Sequence, residues 1–340
     1  MLEHSPEQDP RVRLRQMMPD IKVIQMIYVA AKLNIADFLR EGPLTVEDLA
    51  RLCHAHAPSL YRLLRALASL GIFTEVESKK FGLTEMAELL RSDMPDSMRT
   101  KVLWEGEPWR WRPFGELLYS VQTGQPAFHH IFGQGMFDYL GANPDADAVF
   151  NQTMAEGSTV HGAAVAEHYD FSRAGKIIDI GGGRGALLAA ILKRNPLCQG
   201  VVFDHPAVVE SAESLLANEG VLERCKMVGG SFFEEIPTGG DIYILKYILH
   251  DWDDEHALSI LRNCRAAMDK QAALLIVERV IPPGNGRHRG KILDIEMLTL
   301  FGSQERTEAE YGNLLSTAGF QIKSILPTPI GFDIIEAYPV

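Results

Sequence analysis

The sequence contains no long apolar run. No stretch approaches the roughly 20 residues that span a bilayer, and the polar opening from Met1 to Pro10 has no apolar core of a secretory signal, so a cytoplasmic protein without a membrane partner is expected. Cysteine is scarce: Cys53, Cys198, Cys225 and Cys264 are scattered with no C-x-x-C pair, which argues against both a zinc site and a disulfide framework. Positive charge is short as well, 33 basic against 45 acidic residues for a net charge of −12. Affinity for phosphate backbones comes from clustered Lys and Arg, so a nucleic-acid partner is not expected. There is no internal repeat or low-complexity tract. What remains is 340 residues, 46% of them hydrophobic, enough for two domains with substantial cores.

The first hundred residues read as helical with a short hairpin. Residues 1 to 10 read as a loose tail, and the apolar series from Val12 to Leu39 is too dense for one exposed stripe, predicting burial in its own domain or against another subunit. Thr45 and Asp48 form an N-terminal capping pattern. A helix is predicted from Ser59 to Leu70, with Leu60, Leu63, Leu64, Leu67 and Leu70 on one face and Gly71 at its end. Ile72 to Glu75 and Lys80 to Leu83 bracket a polar turn, and Thr84 starts another helix. Helix, helix and hairpin is a winged-helix arrangement. Only Arg62 and Arg65 decorate the helix that would read DNA, so dimerisation is its expected use. Residues 97 to 168 are aromatic-rich and helical by pattern, divided by Gly124, Gly133, Gly135 and Asn143-Pro144.

From Lys176 strands and helices alternate. Strands are predicted at 176–180, 200–204, 225–228, 241–246 and 273–279, with helices from 184, 206 and about 254, making a doubly wound parallel sheet. Strands at 320–327 and 331–338 form an antiparallel hairpin at its edge. The run Lys176-Ile177-Ile178-Asp179-Ile180 leads into Gly181-Gly182-Gly183-Arg184-Gly185 and an apolar helix. Such a turn lets a ligand approach the backbone and points the amide-rich end of the helix at it. Asp204 closes the next strand about 20 residues on, where nucleoside-binding folds hold ribose hydroxyls. G-G-G-x-G is not the G-x-G-x-x-G of dinucleotide enzymes; with Asp179 before it, the turn looks like the first motif of S-adenosylmethionine-dependent methyltransferases, whose cofactor has a ribose, an adenine and no phosphate.

Lys246 to His250 lie just beyond a central strand, where ligands of open α/β sheets bind, so His250 is placed to act as a base near neutral pH. Its alternative is a cap for the helix begun by Asp253 and Asp254. A metal site of His250, Asp251, Asp253, Asp254 and His256 is not expected, because helix capping explains the acids and no ligand spacing is present.

Over nearly its whole length the chain resembles the caffeic-acid-type small-molecule O-methyltransferases of plant phenylpropanoid and bacterial antibiotic-tailoring chemistry. The runs that carry the resemblance are Asp179-Ile180-Gly181-Gly182-Gly183, Phe203-Asp204, Gly229-Gly230-Ser231-Phe232-Phe233, Lys246-Tyr247-Ile248-Leu249-His250-Asp251-Trp252, Val277-Glu278 and Glu305-Arg306-Thr307. The resemblance implies S-adenosylmethionine as cofactor, S-adenosylhomocysteine as product and no metal. Gly181 and Gly183 belong to the cofactor turn, Gly181 facing the methionine moiety. Asp204 would hold the ribose, Ser231 and Phe232 the adenine, and Lys246 the cofactor's far edge. His250 would be the general base, with Glu278 and Glu305 flanking and orienting its ring, and Trp104, Phe150 and Met154 would line the acceptor pocket. Plant members usually carry Asp where this chain has Ser231.

The expected fold class is therefore α/β: a Rossmann-like methyltransferase domain over 171–340, an N-terminal winged-helix dimerisation domain over 1–100, and a helical linker over 101–170 lining the acceptor pocket. The expected activity is methyl transfer to a hydroxyl of a small aromatic acceptor by a homodimer. Alternatives are N- or C-methylation, and a winged-helix regulator that senses a metabolite.

Overall fold

The computed structural model describes residues 9–18 and 20–340, so most of the expected N-terminal tail lies outside the described residues. Two compact units divide the chain, one running to Arg112 and taking in Asp145–Thr153, the other formed by Pro113–Pro144 and Met154–Val340.

In the first unit, helices Asp20–Lys32 and Ile35–Phe38 precede a short strand β1 (Leu44–Thr45) and the helix Val46–Leu52. The Thr45 side chain accepts from the amide of Asp48 at 3.2 Å, the cap its sequence called for. The next helix is Ala57–Ser69, beginning before Ser59 because Pro58 suits a first turn that needs no amide hydrogen. Leu60, Leu64 and Leu67 are buried on one face, and Leu70 is exposed because the helix has ended by then. Strands β2 (Phe73–Glu77) and β3 (Lys80–Leu83) form a hairpin, and β1 joins on the far side of β3 to give the order β1-β3-β2. Ala30, Ile35, Leu39, Val46, Leu49, Phe73 and Phe81 complete the core, whereas Ile21 and Val29 of the apolar N-terminal series stand exposed on the single chain.

Between residues 99 and 168 the chain forms six helices, and Gly124, Gly133, Gly135 and Asn143 each sit at a helix end. The long helix Pro144–His168 contributes residues to both units.

The second unit is built on a seven-stranded sheet: β4 (Lys176–Ile180), β5 (Gln199–Asp204), β6 (Cys225–Gly229), β7 (Ile242–Lys246), β8 (Ala273–Glu278), β9 (Phe320–Pro327) and β10 (Asp333–Pro339). Its order is β6-β5-β4-β7-β8-β10-β9, with β6 to β8 parallel and the final hairpin antiparallel. The central strands are apolar runs because both faces are covered: Ile178, Leu245 and Leu274 pack toward Ile260 and Leu261, and Ile177, Ile244 and Leu275 toward Leu188 and Leu192. The chain leaves β4 for β5 on one side and reaches β7 on the other, so a crevice opens at the carboxyl ends of the central strands. No helix among the described residues is long and apolar enough to cross a membrane.

Candidate active site

β4 turns through Gly181 to Gly185 into the helix Ala186–Arg194. Gly181 has φ +68, and a Cβ there would lie 2.3 Å from Cδ1 of Ile248, so glycine is required by both backbone and space. The amide of Gly183 donates to Oδ2 of Asp204 at 2.8 Å, while Oδ1 accepts from the His205 amide at 2.6 Å. Each carboxylate oxygen keeps a lone pair for a further donor. A Cβ at Gly183 would meet nothing within 4 Å, so the space over the turn is open.

Asp179 ends fully buried two residues before the glycines, its Oδ2 without a partner. Burial pushes its carboxyl up to about 7, against the pull of Lys246. Lys246, the last residue of β7, donates to Oγ of Ser158 at 3.2 Å, and burial lowers its proton affinity. After β6, Oγ of Ser231 accepts from the Phe233 amide at 3.2 Å, and Phe232 meets Phe233 and Trp252 edge-on at 4.9 and 6.1 Å. Asn263 fixes that loop by donating to the Phe232 carbonyl at 2.9 Å. Two carboxylates and one lysine around an open glycine turn, with aromatic rings alongside, suit a cationic nucleoside better than a phosphate. The residues fit S-adenosylmethionine.

Beyond β7 the backbone passes through Tyr247 at φ +54, an uncommon conformation for an aromatic residue, into a single tight turn at Leu249–Asp251. Oε1 of Glu278, at the end of neighbouring β8, accepts the amides of Ile248, Leu249 and His250 at 3.1, 2.9 and 3.3 Å. The imidazole of His250 is buried, with Nδ1 2.8 Å from Oε1 of Glu305 and 3.9 Å from Oε2 of Glu278. Nε2 lies 3.4 Å from Oδ1 of Asp251. Tyr247 stacks on the ring at 5.2 Å. Burial alone would lower the proton affinity of His250, but Asp251, Glu278 and Glu305 outweigh it and carry its pKa up to about 10. The helix that follows is capped by Asp253, whose Oδ1 accepts from the His256 amide at 2.9 Å, so His250 is not needed as its cap.

Glu305 is held in turn by its amide, which donates to Oδ1 of Asp294 at 2.9 Å. The sequence suggested no role for Asp294, Arg306, Tyr247 or Ser158, and Asp251 figured in it only within the metal set that was not expected. Arg306 stands in the run Glu305-Arg306-Thr307, and Tyr247 and Asp251 in the run from Lys246 to Trp252; membership in runs that carry the family resemblance is the signal that could have found them. Trp104 and Phe150 come together in the first unit, ring centroids 5.7 Å apart, with Trp109 5.4 Å from Trp104. Met154 opens the part of the long helix that belongs to the second unit and is exposed.

An O-methyltransferase domain model matches residues 114–321 and an O-methyltransferase dimerisation domain model residues 16–93. Phenazine O-methyltransferase PhzM of Lysobacter antibioticus is 47% identical over 327 residues, 96% of each chain. The 8-amino-8-demethylriboflavin N,N-dimethyltransferase of Streptomyces davaonensis is 39% identical, covering 98% of this chain and 96% of its own. Among solved structures, LaPhzM superimposes with a TM-score of 0.91 at 46% identity, covering 98% of this chain and 100% of that one. NcsB1 of neocarzinostatin biosynthesis, solved with S-adenosylmethionine and 2-hydroxy-5-methyl naphthoic acid, gives 0.83 at 33% identity, covering 94% and 96%. With both domain models matched in order and this identity sustained over nearly the whole length, the chain belongs to the O-methyltransferase family of S-adenosylmethionine-dependent methyltransferases.

Proposed function

We propose that the chain methylates a hydroxyl of a small, multi-ring aromatic acceptor of secondary metabolism, with His250 as the general base. The observation that carries this reading is the buried contact of 2.8 Å between Nδ1 of His250 and Oε1 of Glu305. A carboxylate on Nδ1 fixes the ring tautomer, leaves Nε2 to take the acceptor's proton and stabilises the imidazolium that results. Such proton transfer is typically worth about 10²- to 10⁴-fold in rate. When bound, S-adenosylmethionine supplies an electrophilic methyl group and a positive sulfonium whose charge disfavours a second cation on His250. Asp204 would hold the ribose, Ser231 and Phe232 the adenine, and Lys246 with Gly181 and Gly183 the remainder. Trp104, Phe150 and Met154 are assigned to the acceptor on family resemblance.

The phenazine and naphthoate relatives support a fused aromatic acceptor, and the dimerisation domain supports a homodimer formed through the first hundred residues. A dimethyltransferase acting on nitrogen at 39% identity keeps an amine as the second reading. Incubation with S-adenosylmethionine and, separately, 1-hydroxyphenazine and 1-aminophenazine tests the two. Methyl transfer to the hydroxyl compound alone is the expected result; transfer to the amine alone overturns the oxygen assignment.

A further inference from the structure

We propose that Arg306 is a positioning residue for His250: its guanidinium holds the carbonyls of the turn that presents the imidazole. This inference rests on the reading of His250 as the base.

Arg306 is fully buried. Its Nη1 donates to the Leu249 carbonyl at 2.8 Å and its Nη2 to the Trp252 carbonyl at 2.9 Å. Nη2 and Nε also donate to Oδ1 of Asp254, at 2.8 and 3.0 Å. Its own carbonyl accepts from the Ile281 amide at 2.9 Å, tying it to the chain that leaves β8. The turn is therefore held from both sides with matched signs. The anionic Glu278 gathers the amides of residues 248 to 250, and the cationic Arg306 gathers the carbonyls on either side of His250.

Burying a guanidinium is costly, and a well-packed apolar side chain would serve stability as well or better. What an apolar side chain cannot do is fix three acceptors in one plane, and a lysine, with one compact ammonium, cannot span them either. Position in the chain adds a second constraint. Arg306 follows Glu305 directly, so one dipeptide sets both the ring of His250 and the backbone that carries it. A misplacement of about 1 Å is enough to cost about 10²-fold in rate.

The test compares Arg306→Lys and Arg306→Met with wild type and His250→Ala, using S-adenosylmethionine and 1-hydroxyphenazine. Turnover and KM are measured together with calorimetric affinity for S-adenosylhomocysteine. The ¹⁵N imidazole spectrum of His250 is recorded in the S-adenosylhomocysteine complex, so that one readout needs no turnover. Both variants are expected to lose about tenfold or more in kcat, with KM and cofactor affinity within about threefold of wild type. The groups facing His250 are Asp251, Glu278, Glu305, Tyr247 and, beyond Asp251, Lys246. In Arg306→Lys, which keeps the charge, release of the turn is expected to weaken the contact of Nδ1 with Oε1 of Glu305 and so to move the imidazole titration to lower pH. If Arg306→Met does not fold, Arg306→Lys carries the test.

A kcat within about twofold of wild type in either folded variant overturns the inference. So does a loss of kcat matched by an equal loss of cofactor affinity. Full turnover by His250→Ala instead overturns the reading of the base, and the inference falls with it.

Discussion

Glu278 and His250 meet through the backbone: one oxygen of the carboxylate accepts the His250 amide at 3.3 Å together with the two amides before it, while the imidazole lies 3.9 Å from the other oxygen. Glu305, not Glu278, makes the short contact to the ring, at 2.8 Å. Two acids adjacent to one histidine thus divide the work, one shaping the turn and one orienting the side chain.

That division predicts different failures. Glu278→Ala leaves three amides without their acceptor and should cost about 3 kcal/mol or more of stability, at about 1–3 kcal/mol for each buried unsatisfied group. Glu305→Gln, which keeps the shape and leaves the three amides their acceptor, should cost less stability than Glu278→Ala while lowering kcat by about 10²-fold. Urea denaturation beside steady-state kinetics separates them; equal destabilisation by both variants would refute the division.

The pH dependence follows from the raised pKa of His250. Its value of about 10 in the folded chain stands above the ordinary 6.5, so the site binds a proton more tightly folded than unfolded. The resulting stability is fully present below about pH 6.5 and is lost as pH rises through about 10. Thermal midpoints of the ligand-free protein should fall from about pH 8 to 10 more steeply than those of His250→Gln. Parallel curves would show that the imidazole is neutral at physiological pH.

Asp204→Ala removes the acceptor for the amides of Gly183 and His205 as well as the proposed ribose contact. Affinity for S-adenosylhomocysteine should fall by about tenfold or more, in line with about 1.5–3 kcal/mol for hydrogen bonds to a charged group. Calorimetric titration reads this directly, and unchanged affinity would remove Asp204 from the site.

Gly181→Ala should be poorly tolerated. The new methyl would face Cδ1 of Ile248 at 2.3 Å in a backbone conformation with φ +68, so Ile248, one residue after strained Tyr247, must move. Both cofactor affinity and stability should drop. A second change, Ile248→Ala, should recover the part of the loss that the clash causes and leave the part that the left-handed backbone causes.

Much of this arrangement was legible in the sequence because it is local. The β-branched run before the glycines, the acid at the end of β5 and the apolar strand before Lys246 each announce an element and place its last residue at the same edge of the sheet. Thr45 announced its own cap. Non-local geometry was not legible. Periodicity says nothing of where the guanidinium of Arg306 reaches, 52 to 57 residues back to Asp254 and Leu249, or of which oxygen of Glu278 meets which amide. The start of the Ala57–Ser69 helix was hidden by a local conflict, since Ser59 is the better cap but Pro58 the better first-turn residue.

The measurement that bears most directly on the central claim is single-turnover methyl transfer by His250→Ala, with S-adenosylmethionine affinity measured on the same protein. Affinity close to wild type is expected, with a rate lower by about 10²- to 10⁴-fold and activity partly regained as pH rises and the acceptor ionises unaided. Methyl transfer at the wild-type rate would contradict the claim.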